Sequence, residues 1–161
     1  MAVALAVRIV LAVKVPGYSV DINCFTAWSL RMAERGPAGF YAPDYFCDYP
    51  PGYMLLLWPC GLLLNAVKSA GASLLVVKIM PIMCDMAGAL VLFGYARKRL
   101  GDAAAALVAG LYAFSPAVLV NGAAWGQADS VLALLLMLTA LAAIRRDWRA
   151  ALPLFVASVL V

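Results

Sequence analysis

The chain has 161 residues, of which 66% are hydrophobic and only 12% are charged, and its formal net charge is +4. Because soluble globular domains carry about a quarter of their residues as Asp, Glu, Lys or Arg, this composition excludes an ordinary soluble domain. The basic residues cluster at the ends of apolar segments and form no single patch, so nucleic acid is not expected as a partner.

Apolar segments alternate with short polar segments along the chain. A helix needs about 20 mostly apolar residues to cross the hydrocarbon layer, so we predict an all-α, polytopic transmembrane bundle. Spanning helices are predicted at residues 1–18, 73–97, 103–122 and 131–145, and the start of another at 150–161. Outer loops are predicted at 19–70 and 123–130. The last apolar segment is too short to span, so we expect an N-terminal part of a longer protein.

The first apolar segment resembles a signal peptide only superficially. Arg8 and Lys14 interrupt the apolar run instead of preceding it, and no small-residue cleavage site follows. We therefore interpret it as a spanning helix.

Basic residues cluster at 97–99 and at 145–149, which indicates that both clusters lie on the cytoplasmic side of the membrane. If residues 53–67 also span, the loop with Asp21 lies on one side of the membrane and the segment that begins at Trp125 lies on the other. If they lie on the outer surface or re-enter, both polar segments share the outer face. Pro59 and the shortness of this segment favour the second arrangement.

In that arrangement five of the eight acidic residues lie on one face: Asp21, Glu34, Asp44, Asp48 and Asp129. Residues 20–36 predict an amphipathic interfacial helix in which Asp21 is the N-cap and Gly36 the stop. A helix dipole favours the ionised form of such a carboxylate, as a proton acceptor requires. Simple N-capping would explain Asp21 equally well.

Two further polar segments carry candidate site residues. Asp48-Tyr49-Pro50-Pro51 is either a loop-to-helix junction or part of a site, since its prolines fix the backbone. Trp125-Gly126-Gln127-Ala128-Asp129 adds an amide and a carboxylate beside an interfacial tryptophan, at a depth where both are costly without a purpose. A simple turn is the alternative.

Asp85 lies well inside a predicted spanning helix, where a carboxylate should be paired or protonated. Lys78, about two turns earlier, is a candidate but distant partner. With Pro81, these residues leave open a different function, a fragment of a secondary membrane transporter with a broken helix and an ion path. A purely structural membrane subunit is a third possibility.

A structural zinc site is not expected, because the chain has no histidine and its four cysteines lack metal-ligand spacing. Cys24 and Cys47 share the first polar loop and would form a disulfide only in an oxidising compartment. Two free thiols are the alternative.

The order Asp21, Asp-Tyr-Pro-Pro at 48–51, Asp85 and Trp-Gly-Gln-Ala-Asp at 125–129 resembles the C-fold (GT-C) glycosyltransferases. The sequence is most similar to dolichyl-phosphate-glucose glucosyltransferases and to bacterial proteins that resemble GPI-anchor mannosyltransferases. The resemblance covers nearly the whole chain, and its specificity comes from the order and spacing of three motifs.

The resemblance implies an inverting hexosyltransferase, glucosyl or mannosyl, in a bacterial or archaeal plasma membrane or the ER membrane, with its site on the outer or luminal side. Its partners would be a polyprenyl-phosphate-sugar donor, a glycan, lipid or protein acceptor, and membrane lipids. Asp21 would be the catalytic base, and no cofactor or metal would be needed. Substrate would be bound by Asp48, Tyr49, Trp125, Gln127 and Asp129. The family's carrier-phosphate loops have no counterpart here.

Overall fold

A computed structural model describes all of residues 1–161 and contains helices and turns but no strands, which confirms the all-α prediction. The α-helices are α1 (Ala2–Lys14), α2 (Ser19–Phe40), α3 (Pro51–Leu64), α4 (Ala70–Ala113), α5 (Pro116–Val118), α6 (Asp129–Ile144) and α7 (Trp148–Val159). A π-helix, Leu119–Trp125, lies between α5 and α6.

One helix, α4, is by itself long and apolar enough to cross a membrane. Helices α1 and α2 pass the same criterion only as a pair, and they are bent by 96° at the break between them. Helices α3, α6 and α7 are apolar but shorter. Length and composition thus single out α4 as the segment best suited to a lipid environment.

Helix α4 reverses direction at Gly101, whose φ of 79° and ψ of 173° are not helical. A Cβ added to Gly88 would lie 2.9 Å from the hydroxyl of Tyr112. In a straight helix these residues would be about 36 Å apart, so residues 70–100 and 102–113 form two antiparallel arms. The salt bridge between Arg97 and Asp102, 2.6 Å long and exposed, closes the turn.

Residues 103–122, predicted as a single span, are divided between the second arm of α4, a break at Phe114 and Ser115, and the following short helices. Pro116 fits this break because it can begin a helix but cannot continue one. The π-helix ends at Gly126, which has a φ of 91°. The chain then turns into α6 at Asp129.

Helices α2 and α3 pack together and supply nine of the twelve residues of the largest buried apolar cluster. Gly61 on α3 lies directly against the carbonyl of Ser29 on α2, so a larger residue would separate the helices. The rings of Phe25, Trp28 and Tyr53 meet edge-on or tilted in a cluster that includes Tyr49. The loop before α3 is thereby fixed against α2.

The prediction for the ends of α2 was partly wrong. Tyr18, not Asp21, occupies the N-cap, and Asp21 lies in the first turn. Gly36 does break the helix, with a φ of 65°, but Pro37–Phe40 continue as another helical turn beyond it. Proline can begin such a turn, which explains why the chain does not stop there.

Candidate functional site

The site begins at the corner between α1 and α2, where Pro16 and Gly17 separate the two helices. Gly17 has a φ of 79°, and a Cβ there would lie 2.7 Å from the carbonyl oxygen of Trp125. Only glycine allows both this backbone conformation and this approach. The corner consequently brings the first turn of α2 against the end of the π-helix.

Asp21 receives two hydrogen bonds across this junction. The indole Nε1 of Trp125 donates to Oδ2 of Asp21 at 2.7 Å, and the Nε2 of Gln127 donates to the same oxygen. The other oxygen, Oδ1, accepts no hydrogen bond from the protein. One oxygen is therefore held, while the other can accept a proton from a bound molecule.

Tyr49 orients the glutamine. Its hydroxyl donates to Oε1 of Gln127 at 3.3 Å, which leaves the amide nitrogen directed at Asp21. Burial raises the pKa of Tyr49, and the nearby carboxylates of Asp129, Asp21 and Asp48 raise it further. The phenol thus stays protonated at neutral pH and remains a donor.

Asp48 and Asp129 line one cavity of about 250 Å³ beside Tyr49. Asp129 also accepts a hydrogen bond from Nδ2 of Asn121, at 3.3 Å. The six residues selected from the sequence are thus brought together: four are joined by hydrogen bonds and two share the adjacent cavity. Asn121 was missed, because an asparagine within an apolar segment has no motif of its own.

Two other acids from the first loop are not part of this cluster. Glu34 lies 13 residues after Asp21 on α2, about 20 Å along the helix, and pairs with Arg35 at 3.2 Å. Asp44 is exposed and makes no hydrogen bond or ion pair. The expected convergence of five acids is thus limited to Asp21, Asp48 and Asp129.

Lys78 binds backbone carbonyl groups next to the site. Its ammonium group donates to the carbonyl oxygens of Val15 at 2.6 Å and Ala124 at 2.7 Å. These carbonyls lie at the C-terminal ends of α1 and the π-helix, where a cation is favoured. Lys78 is fully buried, and a Cβ on Gly126 would lie 2.8 Å from its Cγ. It therefore joins the end of α1, just before the corner that leads to Asp21, to the segment that carries Trp125.

The prediction of Lys78 as the partner of Asp85 was consequently wrong. Asp85 pairs with Arg8, whose Nε lies 3.4 Å from Oδ2, and the two side chains are 1% and 0% exposed. Arg8 also donates through Nη1 to the carbonyl of Ala4 at 3.3 Å. The two residues are 77 positions apart, so no sequence spacing could have indicated the pair.

Glycine is required beside this ion pair. A Cβ on Gly122, in the π-helix, would overlap the carboxylate of Asp85 and lie 2.9 Å from the hydroxyl of Ser130. The buried pair therefore packs directly against the segment that ends in Trp125.

All four cysteines, including Cys24 and Cys47, are free thiols.

No protein-family model matches the chain, and no similar curated protein or solved structure is found. The chemistry of the site is therefore the basis for inferring a function.

Proposed function

We propose that the protein is a membrane-embedded, inverting glycosyltransferase of the C-fold type. It transfers a hexose, glucosyl or mannosyl, from a polyprenyl- or dolichyl-phosphate carrier to an acceptor hydroxyl at the outer or luminal face. The acceptor is a glycan, a lipid or a protein.

The single observation that carries the proposal is the asymmetric environment of Asp21. Trp125 and Gln127 both donate to Oδ2, and Oδ1 is left without a protein partner. A general base needs an oriented carboxylate with one oxygen free to accept a proton. The donors come from a segment more than 100 residues away, so the constellation depends on the tertiary fold.

The reaction follows from this geometry. Asp21 takes the proton of the acceptor hydroxyl while the hydroxyl oxygen forms a bond to the anomeric carbon. The bond from that carbon to the phosphate oxygen breaks on the opposite face, and the carrier phosphate leaves with the electron pair. Because the phosphate is already an anion, cationic groups can stabilise it and a divalent metal is not obligatory.

Groups around Asp21 suit a sugar. The Trp125 ring is 41% exposed and can stack on a pyranose, as amphipathic aromatic rings do in ligand sites. Asp48 and Asp129 face the same cavity and can accept hydrogen bonds from sugar hydroxyls. Tyr49 keeps Gln127 directed at the base.

A multi-pass arrangement is part of the proposal, and the helix dimensions support it. From Lys78, beneath the site, to Arg97 is 19 residues of α4, or about 28 Å, close to the thickness of a bilayer core. From Asp129 to Arg145 along α6 is about 24 Å. The acidic site and the basic residues would thus lie at opposite membrane surfaces, as the positive-inside rule favours.

The transporter alternative requires an intramembrane carboxylate that can exchange its ion or proton. The buried contact of Asp85 with Arg8 favours a structural role instead, since the pair already neutralises the charge. Asp21, by contrast, is at the surface of the bundle with one unused oxygen. The two functions therefore predict opposite effects of changes at these two aspartates.

The test is transfer of a radiolabelled hexose from polyprenyl-phosphate-glucose or polyprenyl-phosphate-mannose by the full-length protein that contains these residues, in detergent and with a membrane extract as acceptor. Asp21→Asn should lower the rate by at least about 100-fold, as expected for loss of a general base. Asp44→Asn, which changes an exposed loop carboxylate outside the site, should have no effect. Full transfer by the Asp21→Asn variant, or no transfer by the parent with either donor, would refute the proposal.

A further inference from the structure

We propose that a cleft at the basic end of the bundle binds an anionic phospholipid. The phosphate would lie between Lys98 and Arg145, and one acyl chain would run along the apolar wall formed by α4, α6 and α7. We call this cavity the lipid cleft. The inference concerns a second site and does not depend on sugar transfer.

The shape of the lipid cleft suits a two-part ligand. It has a volume of about 450 Å³ and lies between the first arm of α4 and the α6 and α7 pair. Its wall includes Leu90, Leu138 and Leu154. Lys98 lies three residues before the break of α4 at Gly101, and Arg145 is the C-cap of α6. From Leu90 to Lys98 the α4 wall rises about 12 Å, which gives an acyl chain a long apolar surface.

The two cations have no partner within the protein. Their neighbours are engaged: Arg97 pairs with Asp102 and Arg99 stacks on the ring of Tyr95. Lys98 and Arg145 make no side-chain hydrogen bond and no ion pair, although both line the cavity. An anion is thus the complementary ligand for this end of the cleft.

One carboxylate, Asp147, also lines the cleft, but it is already engaged in a hydrogen bond to the backbone. It is the N-cap of α7 and accepts a hydrogen bond from the backbone nitrogen of Ala150 at 3.2 Å. Two unpaired cations thus face one engaged carboxylate, so the local charge remains positive.

The occupant is a phospholipid because the cations are confined to one end and the rest of the wall is apolar. A free phosphate would contact only the cations, and an apolar helix would contact only the apolar wall. Anionic headgroups are concentrated at the cytoplasmic surface, which is where these basic helix ends are expected. Basic pockets between helices on that side are suited to such headgroups.

Charge removal tests the headgroup contact. Native mass spectrometry of the full chain in detergent would measure binding of added phosphatidylglycerol, phosphatidylcholine or soluble glycerol phosphate. We expect retention of phosphatidylglycerol alone, and an affinity about 30-fold lower in the double variant Lys98→Gln/Arg145→Gln. The matched control, Arg35→Gln/Lys68→Gln, removes the same charge from exposed positions outside the cleft and should bind like the parent.

Filling the cleft tests the acyl-chain contact without altering charge. A Cβ on Gly94, which lines the cleft, would meet no atom within 4 Å. Gly94→Leu should therefore keep its fold, because leucine is also a better helix former, and should abolish phosphatidylglycerol retention. Gly110→Leu is the matched control, since its Cβ also has open space but lines a different cavity.

Three results would overturn the inference: equal retention of phosphatidylcholine, binding of glycerol phosphate as tight as that of the lipid, or unchanged retention in both the charge-removal and the Gly94→Leu variants. The first would mean that charge does not select the ligand, and the second that no chain is held. The third would mean that the lipid binds elsewhere.

Discussion

The buried pair of Arg8 and Asp85 makes the strongest prediction about stability. The two side chains are almost entirely removed from solvent, and their polar atoms are 3.4 Å apart. Arg8→Met removes the cation but leaves the carboxylate buried between the arms of α4 and the π-helix. Loss of one member of such a pair costs about 3–5 kcal/mol, so we expect this variant to be severely destabilised.

The size of this destabilisation depends more on the uncompensated charge of Asp85 than on the lost attraction between Asp85 and Arg8. A double variant, Arg8→Met/Asp85→Leu, removes both charges and replaces them with apolar groups of similar size. Because apolar replacements of buried ion pairs are often nearly neutral, we expect it to recover at least about 2 kcal/mol relative to Arg8→Met. Asp85→Leu alone should be destabilised by a similar amount to Arg8→Met.

The assay is the fraction of monodisperse protein after heating in detergent, measured by size-exclusion chromatography for the parent, both single variants and the double variant. Arg97→Met is the control, because it breaks an exposed ion pair that contributes at most about 1 kcal/mol. If the two single effects simply add in the double variant, the reasoning from an uncompensated buried charge is refuted.

Three other changes have definite expected outcomes. The pKa of Cys24 is raised by burial and then by the carboxylates of Asp48 and Asp21, so its maleimide labelling should be slow at neutral pH and accelerate as pH rises above the ordinary thiol pKa. Asp48→Asn should lower that pKa and speed labelling at pH 8, and an unchanged rate would contradict the assigned proximity. Lys78→Met should destabilise the protein by about 2–4 kcal/mol, since it removes two charge-assisted hydrogen bonds, whereas Lys68→Met should cost under about 0.5 kcal/mol in the same heating assay. Gly122→Ala should cost about 1–3 kcal/mol through overlap with the Asp85 carboxylate, and wild-type heat resistance would show that the π-helix can shift to make room.

The sequence predicts best those features that depend on neighbouring residues. The helical class follows from apolar periodicity and composition. Asp21 was selected as an acidic residue at a predicted helix start, and Gln127 as a polar group at a depth where burial without a purpose is costly. Tyr49 was selected through the Asp-Tyr-Pro-Pro motif that carries the resemblance. Their assignment to catalysis and sugar binding stays a prediction.

Features that depend on distant packing could not be predicted. The buried partner of Asp85 is Arg8, in a different helix, whereas helical spacing pointed to Lys78. Lys78 is used to bind two helix-end carbonyls, and such backbone acceptors leave no mark on a sequence. Cap assignment also failed at Asp21, because Pro16 and Gly17 allow α2 to begin three residues earlier than the acidic side chain suggested.

The π-helix at Leu119–Trp125 has a consequence for how the chain tolerates insertions and deletions. Its wider turns accommodate about one residue more than an α-helix over the same length, and such bulges are frequent at functional sites. Loss of a single residue here would let the segment relax to an α-helix and rotate the indole by about 100° around the axis. The indole would then no longer reach the first turn of α2, even though every other side chain was retained. Natural variation in length should therefore be far rarer in these seven positions than in the loops that flank them.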